Sequence, residues 1–279
     1  MPINSDTPEI KDEELELLLV DIHNKYGYDF TDYTRASLKR RINRLMVLDR
    51  FPSFAELRFH IISNVMYLRR FIEEITVNVT EMFRDPDFFR HLRETIFPIL
   101  GTYPFIRIWV AGCATGEEAY SLAILLKETN LFDKSIIYAT DLNPGVLEEA
   151  KQGIYSLKQM KLFSENYGLS GGTGAFSAYY CAQYGTAIFK EYLREKIVFS
   201  NHNLASDRSF NQFQLILCRN VLIYFQPQLQ ERVFQVFDDS LEDLGYLALG
   251  SKETMRFSQV AQRYQQTHTP YKIWRKYGA

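Results

Sequence analysis

The fold expected of this chain is decided by the stretch Trp109-Val110-Ala111-Gly112-Cys113-Ala114-Thr115-Gly116-Glu117-Glu118-Ala119-Tyr120-Ser121-Leu122-Ala123. An apolar run ends in a loop of small residues, and an apolar pattern with helical spacing follows at once. A strand, a tight glycine turn and a helix in this order are typical of the ligand-binding corner of a doubly wound α/β sheet. Because Gly112 and Gly116 have no Cβ, the backbone can turn sharply there and a ligand can lie against it.

The loop has the spacing Gly-x-Ala-x-Gly and is followed by two acids, Glu117 and Glu118. This differs from the Gly-x-Gly-x-x-Gly loop of dinucleotide-binding proteins. A pyrophosphate requires bare amides at a positive helix end, and two carboxylates would repel it. They favour instead a ligand with a cationic sulfonium, an ammonium group and ribose hydroxyls, a description that fits S-adenosylmethionine (SAM). A tight strand-to-helix turn that binds no ligand is the alternative that the loop alone leaves open.

The overall composition is that of a globular protein. The chain has 279 residues, of which 46% are hydrophobic and 24% charged, and this fits one large domain or two small ones. A formal net charge of −2 gives no electrostatic basis for binding nucleic acid. Three scattered cysteines predict no disulfide framework, and no signal peptide or apolar run of about 20 residues is evident. We therefore expect a soluble, cytoplasmic protein that does not insert into a membrane.

Residues 1–95 have the pattern of a small, all-helical N-terminal domain. The stripe of one amphipathic helix is formed by Leu15, Leu18, Leu19 and Ile22. A second helix is predicted over Thr34–Leu48, and further helices between Phe54 and Ile75. Another is predicted from Thr80 to Arg93, with Thr80 as its N-cap.

The second helix is unusually basic. Between Thr31 and Arg50 there are six basic residues and two acids, a local charge of +4 on a chain of net charge −2. Arg40, Arg41 and Arg44 project from a different side of the helix than its apolar residues do. Two interpretations remain open, a solvated helix face and a docking surface for an acidic partner.

From residue 106 onward, strands alternate with helices, which is typical of a parallel sheet covered on both faces. The predicted strands are Ile106–Val110, Ser135–Thr140, the strand-like Ile197–Phe199, Gln214–Cys218 and Tyr246–Gly250. The predicted helices after the glycine loop are Pro144–Lys151, capped by Asp141 or Asn143, and Gln228–Leu241. Residues 96–279 are thus expected to form an α/β domain. The Ser- and Gly-rich segment Ser164–Ser177 predicts a mobile loop leading into a small insertion at roughly residues 160–200.

Polar residues at the ends of predicted strands are the candidates for ligand contact, because open α/β sheets bind ligands beyond the carboxyl ends of their strands. Asp141 is placed to accept hydrogen bonds from both ribose hydroxyls of an adenosyl ligand, and a helix cap is the alternative. Glu118 lies in a first helical turn, where the helix dipole favours an acid in any case. Asn203-Leu204, after a strand-like segment, is a weak signal in isolation.

Two further segments carry candidate residues. Arg219 and Asn220 follow a buried strand, and Asn220 can donate and accept hydrogen bonds at either end of an adenosyl ligand. Tyr224 either presents its hydroxyl to a substrate or is a core aromatic with a solvated tip. In the predicted helix, Arg84 lies one turn beyond Thr80, so both could face one ligand, although the spacing does not require it. No metal site is expected, because the five histidines are scattered and no Cys-x-x-Cys occurs.

Taken together, these motifs resemble the CheR family, SAM-dependent methyltransferases that esterify glutamates on chemotaxis receptors. The resemblance is carried by Asn78-x-Thr80-x-x-Phe83-Arg84-Asp85, by Ala111 to Ser121, by Ala139-Thr140-Asp141 and by Cys218-Arg219-Asn220-Val221-Leu222-Ile223-Tyr224-Phe225. Ser37-Leu38-Lys39-Arg40-Arg41-Ile42 also resembles the basic helix of the family. The resemblance extends from about Tyr26 to Glu253.

The resemblance implies an all-α N-terminal domain followed by a SAM-binding, Rossmann-like doubly wound α/β sheet with a small antiparallel β insertion. The positions that match cofactor-contacting residues of the family are Asn78, Thr80, Arg84, Glu118, Asp141, Asn203, Leu204, Arg219 and Asn220. Arg84 and Tyr224 match the residues that orient the substrate carboxylate, and the basic helix matches the receptor-docking helix. Many relatives have Phe-Asp where this chain has Phe213-Gln214, and its insertion is too different for binding of a receptor C-terminal peptide to be carried over.

The implied reaction transfers the methyl group of SAM to glutamate side chains of a receptor's helical bundle, leaving S-adenosylhomocysteine. Glutamate is ionised near neutral pH, so an in-line displacement requires positioning rather than a strong general base. The receptor is an expected protein partner, and nucleic acid is not expected as one. A methyltransferase with another protein or small carboxylate as acceptor, and a non-catalytic SAM-binding signalling module, are the alternatives.

Overall fold

The computed structural model describes residues 10–278. Residues 1–9, which are part of the segment where no signal peptide is expected, lie outside the described residues. The described chain forms two compact units. The helical unit contains the residues up to Val77 together with Tyr224–Val233, and the α/β unit contains Asn78–Ile223 and the residues from Phe234 onward. Residues 78–95, expected in the N-terminal domain, thus group with the α/β unit.

Four amphipathic helices build most of the helical unit. They are α1 (Asp12–Tyr26), α2 (Arg35–Leu48), α3 (Phe54–Ser63) and α4 (Val65–Ile75). The predicted apolar stripe on α1 is fully buried, because the apolar face of an amphipathic helix packs against the core. Ser53 and Asn64 cap α3 and α4, respectively, with side-chain oxygens that accept backbone N–H groups of the first turn. The predicted all-α N-terminal unit is confirmed.

The short segment Tyr224–Val233 belongs to the helical unit although it lies far along the chain. The Thr34 amide donates a hydrogen bond to the Tyr224 carbonyl oxygen at 2.9 Å. Tyr33 and Phe225 form an antiparallel bridge, and their rings meet edge to face with centroids 4.9 Å apart. Backbone pairing of this kind joins the segment to the loop before α2.

A seven-stranded sheet forms the centre of the α/β unit, in the order β6-β2-β1-β7-β8-β10-β9. Its strands are β1 (Ile106–Ala111), β2 (Ser135–Asp141), β6 (Ile197–Asn201), β7 (Phe213–Cys218), β8 (Leu241–Leu249), β9 (Tyr264–His268) and β10 (Ile273–Lys276). The five strands from β6 to β8 are parallel, and β10 and β9 add antiparallel strands at one edge. This confirms the predicted doubly wound α/β class, while β9 and β10 were not predicted.

The remaining helices flank these strands. They are α5 (Pro86–His91), α6 (Phe97–Leu100), α7 (Glu117–Glu128), α8 (Pro144–Gln152), α9 (Leu157–Leu169), α10 (Glu191–Arg194) and α11 (Pro227–Ser240). A π-helical turn spans Leu92–Ile96, and short 3-10 turns span Phe132–Lys134, Phe176–Tyr179, Leu222–Tyr224 and Gln259–Arg263. Among the residues described, no helix is both long and apolar enough to cross a bilayer.

The helix predicted over Thr80–Arg93 is wrong at its start. α5 begins at Pro86, and Thr80 lies in the irregular segment before it rather than at a helix N-cap. Proline fits the first position of a helix but disfavours helical backbone in the residue before it. Asp85 has φ +58°, outside the right-handed helical region, so Arg84 lies in a turn and not one helical turn beyond Thr80.

The predicted insertion is confirmed as a small antiparallel sheet of order β3-β5-β4, but the loop predicted over Ser164–Ser177 is wrong in its first part. The three strands are β3 (Ile154–Ser156), β4 (Tyr180–Gln183) and β5 (Thr186–Phe189). Helix α9 extends to Leu169, because Met160, Phe163 and Tyr167 lie on one buried face. Ser156 and Gln159 form a capping box at its start.

Candidate cofactor site

The glycine loop between β1 and α7 has the conformation that its sequence predicts. Gly112 and Gly116 have φ of +77° and +93°, in the left-handed region that favours glycine. A Cβ on Gly112 would lie 2.4 Å from Val221 Cγ2, and one on Gly116 would lie 3.0 Å from Ala150 Cβ. Both glycines are therefore required by backbone conformation and by close packing.

Asp141 connects the end of β2 to this loop. Its Oδ2 accepts a hydrogen bond from the Ala114 amide at 2.9 Å, and its Oδ1 accepts one from the Asn143 amide at 2.9 Å. Burial raises the pKa of the Asp141 carboxyl, and these amides oppose that change. Asn143, not Asp141, caps α8, through its side-chain oxygen and the Gly145 amide. Each carboxylate oxygen of Asp141 is thus fixed in direction by one amide and retains capacity to accept a further hydrogen bond.

Arg219 joins three of the sequence motifs. Its guanidinium pairs with Glu118 at 2.7 Å and with Asp85 at 2.6 Å, and its side chain is only 3% exposed. It also lies over the Phe88 ring, 4.0 Å from the centroid, and donates to the Arg84 carbonyl oxygen at 3.3 Å. A buried arginine of this kind must be paired with carboxylates, and the pairing fixes the positions of all three segments.

Asn220, the next residue, is held by an acid that the sequence analysis did not single out. Asn220 has φ +63°, which is uncommon for a residue other than glycine. The buried Glu253 carboxylate accepts hydrogen bonds from the backbone amides of Gly250, Asn220, Val221 and Leu222, at 2.6 to 3.0 Å. Burial raises the pKa of Glu253 and the four amides oppose that change. The only sequence signal is an acid shortly after a predicted strand, which is too general to identify such a role.

Asn203 and Leu204 follow β6, the strand next to β2, and both are buried. The Asn203 side chain accepts from the Ala205 amide at 3.0 Å, which stabilises a turn. Asp141 and Asn201 are paired residues at the ends of the two strands. Asn203 and Leu204 therefore lie at the same edge of the sheet as Asp141.

Asn78, Thr80 and Arg84 lie in the irregular segment before α5, and all three are half-buried. Arg84 Nη1 lies 3.5 Å from the Val79 carbonyl oxygen, a weak hydrogen bond. Within residues 10–278, Arg84 makes no ion pair, unlike Arg219. Its charge therefore remains available to an anion.

Tyr224, Arg40, Arg41 and Arg44 belong to the helical unit. Arg41 Nη1 donates to the Glu74 carbonyl oxygen at 3.1 Å, and Arg44 Nη1 pairs with Glu74 Oε1 at 2.9 Å. Burial lowers the pKa of Arg41, and the neighbouring Tyr224 and Glu74 oppose that change. Arg40 is exposed. Two of the three arginines therefore attach α2 to α4, while Arg40 projects into solvent.

The described part of the chain contains no group of three or more histidine, cysteine, aspartate or glutamate side chains arranged to hold a metal ion.

Comparison with known proteins identifies both units. Residues 78–273 match the family described as CheR methyltransferase, SAM binding domain, and residues 13–76 match CheR methyltransferase, all-alpha domain. A Pseudomonas putida protein named "Putative methyltransferase Cher3" is 46% identical over 95% of this chain and 97% of its own length. The chemotaxis protein methyltransferase of Listeria innocua is 35% identical over 81% of this chain and 84% of its own.

The chemotaxis protein methyltransferase of Salmonella typhimurium is 30% identical over 87% of this chain and 83% of its own length. These similarities cover both the helical and the α/β units, and they support SAM-dependent methylation in chemotaxis. The chain belongs to the CheR family of SAM-dependent methyltransferases.

Proposed function

We propose that this protein methylates glutamate side chains on the cytoplasmic helical bundle of methyl-accepting chemotaxis receptors. The products are glutamate methyl esters and S-adenosylhomocysteine, and the reaction takes place in the cytoplasm. The observation that carries the proposal is the convergence of three family motifs on Arg219, in a chain whose relatives are named chemotaxis protein methyltransferases.

The described residues fit SAM as the cofactor, which when bound supplies a methyl group on a sulfonium. The glycine loop makes the sharp strand-to-helix turn at which α/β sheets bind such ligands, and Asp141 next to it keeps acceptor capacity for ribose hydroxyls. Glu118 adds negative charge that suits a cationic ligand, although Arg219 neutralises part of it. The cofactor-binding residues we propose are Asn78, Thr80, Arg84, Glu118, Asp141, Asn203, Leu204, Arg219 and Asn220.

In this proposal the protein accelerates methyl transfer by positioning. The acceptor carboxylate is ionised near neutral pH and is held about 3 Å from the methyl carbon, in line with the departing sulfur. Arg84, without a carboxylate partner among the residues described, attracts the acceptor carboxylate, and the Tyr224 hydroxyl donates to it. No proton has to be removed from the nucleophile, so neither residue acts as a general base.

This assignment predicts the effect of Arg84→Ala. Turnover is expected to fall about tenfold to a hundredfold, because the carboxylate loses its orienting cation, while SAM affinity changes little. Turnover assays and calorimetry with SAM measure the two effects separately. Equal losses in both would make Arg84 mainly a cofactor ligand.

The basic face of α2 is proposed to dock the acidic receptor bundle. The triple variant Arg40/Arg41/Arg44→Glu is expected to lose receptor methylation and keep SAM affinity. Since Arg41 and Arg44 also hold Glu74, the single variant Arg40→Glu isolates docking from packing. Arg69→Glu, the same charge change at another exposed arginine of the helical unit, is the control. Equal receptor methylation by the Arg40 and Arg69 variants would assign Arg40 to a solvated face.

The first experiment is transfer of radiolabelled methyl from SAM to receptor-containing membranes from the same source, followed by mild alkali. Methyl esters release the label as volatile methanol, so base-labile label on a receptor-sized band would support the proposal. Label on a different protein or on a small carboxylate would replace the receptor as acceptor. Confirmed SAM binding without any transfer would favour a signalling module that does not catalyse.

A further inference from the structure

The turn that carries Arg84 has an unusual backbone on both sides of it. Phe83 has φ +52° and Asp85 has φ +58°, and neither is glycine. Residues with a Cβ adopt this region rarely, and such strain persists only where the surroundings determine the conformation fully. The contacts around Phe83 and Arg84 must therefore hold the turn against relaxation.

Two buried polar side chains hold the start of the turn. Ser121 Oγ accepts a hydrogen bond from the Phe83 amide at 2.9 Å. Asn166 Nδ2 donates a hydrogen bond to the Met82 carbonyl oxygen at 3.0 Å. Ser121 is 0% exposed and Asn166 is 8% exposed, so water does not readily replace either partner.

These two side chains come from different elements. Ser121 lies on α7, the helix that follows the glycine loop, and its hydroxyl donates to the Glu117 carbonyl oxygen at 2.7 Å. Asn166 lies on α9, between strands β3 and β4 of the insertion. The Phe83 ring packs edge to face against Tyr167 at 5.4 Å between centroids, which adds an apolar anchor beside Asn166. The peptide before Arg84 is thus fixed from two directions.

We propose that Ser121 and Asn166 are positioning residues that hold the Met82–Phe83 backbone so that the turn presents the Arg84 guanidinium to the acceptor carboxylate. This inference rests on the proposed role of Arg84 in the methyl transfer. Without either hydrogen bond, Phe83 relaxes toward a more favourable backbone conformation and the direction of the Arg84 side chain changes. Small displacements of an orienting group are enough to reduce a rate strongly.

The test compares Ser121→Ala with Ser240→Ala in the full-length chain. Both serines are 0% exposed, and both donate to the carbonyl oxygen four residues earlier at 2.7 Å. Only Ser121 also accepts from the turn before Arg84. Ser121→Ala is expected to lower kcat for receptor methylation about tenfold or more with SAM affinity within about twofold. Ser240→Ala is expected to change neither by more than about twofold.

A double-mutant cycle with Arg84→Ala distinguishes positioning from a general structural role. If Ser121 acts through Arg84, Ser121→Ala causes no further loss of kcat in the Arg84→Ala background. Equal fold-losses in both backgrounds would overturn the inference while leaving the proposed function intact. An Arg84→Ala variant with undiminished kcat would overturn the role of Arg84 and this inference with it.

A second variant covers the case in which Ser121→Ala does not fold. Asn166→Asp keeps the side-chain shape and removes the donor to the Met82 carbonyl. It is expected to give the same pattern, a loss of kcat of about tenfold that disappears in the Arg84→Ala background. An Asn166→Asp variant with unchanged kcat would contradict the inference.

Discussion

Replacing Glu117 with glutamine is expected to make the α/β unit more stable at alkaline pH and to flatten the pH dependence of its stability. The Glu117 side chain is 2% exposed, and its nearest polar partner is the Thr115 hydroxyl, which donates to Oε2 at 2.7 Å. Burial raises the pKa of this carboxyl from 4.5 to about 7, and the Thr115 hydrogen bond only partly opposes the change. Glutamine keeps an acceptor oxygen for Thr115 and carries no charge.

The direction follows from proton binding. Between pH 4.5 and about 7 the folded protein keeps the proton on Glu117 while the unfolded chain has lost it. Stability therefore falls as the pH rises through this range. The difference between the two pKa values corresponds to about 3 kcal/mol, most of which develops between about pH 5 and pH 8. The Glu117→Gln variant should exceed the wild type by under about 1 kcal/mol at the lower pH and by about 3 kcal/mol at the higher.

Tryptophan fluorescence during urea unfolding reports on this unit, because both tryptophans, Trp109 and Trp274, lie in it. Unfolding free energies of the wild type and of Glu117→Gln are measured at about pH 5 and about pH 8. Glu165→Gln, the same change at an exposed residue of the same unit, is the control and should follow the wild type. If wild type and Glu117→Gln differed in unfolding free energy by the same amount at both pH values, the reasoning would be refuted. A buried carboxyl with a raised pKa must make a contribution to stability that changes with pH.

Gly112→Ala is expected to lower the unfolding free energy by about 1–3 kcal/mol, because the new Cβ would lie 2.4 Å from Val221 Cγ2. If adding Val221→Ala partly restores the stability in urea unfolding, the clash is the cause. Asp141→Ala should weaken SAM binding several-fold in calorimetry and also destabilise the fold, because two backbone amides lose their acceptor; unchanged affinity would exclude a ribose contact. Glu253→Gln leaves one acceptor oxygen for four backbone amides, so the unfolding free energy should fall by about 1–3 kcal/mol for each amide left unpaired. An unchanged urea midpoint would contradict this expectation.

The parts of the fold that were predictable from sequence depend on neighbouring residues. The corner from β1 to α7 requires only a short apolar run, two glycines and a helical pattern, and all three lie within one stretch. Pro86 is the local signal for the start of α5, because proline fits the first position of a helix. Strand β9 lies at the edge of the sheet, and its sequence is too polar to stand out. Strand β10 lies between β8 and β9, but it has only four residues, two of them basic, which is too short an apolar pattern to predict a strand.

The side chains that support the candidate site were not predictable in the same way. Asn166 and the Met82 carbonyl are 84 residues apart, and Glu253 is 33 residues from Asn220. No periodicity or spacing connects positions at such separations, because the contact exists only after the sheet and the insertion have formed. Asp141 was recognisable because it directly follows a predicted strand, whereas a single buried asparagine in a helix has no such marker.

The return of Tyr224–Val233 to the helical unit means that this unit is discontinuous in sequence. The polypeptide passes between the two units after Val77, after Ile223 and after Val233. A protease that cuts only after Val77 therefore leaves the helices hydrogen-bonded to the larger fragment, through the Thr34 amide and the Tyr33–Phe225 bridge. A recombinant fragment ending at Val77 would lack one of its own structural pieces, and a fragment starting at Asn78 would carry that piece without its binding surface. The helical unit is therefore not an independent module that can be exchanged between proteins by a single N-terminal fusion.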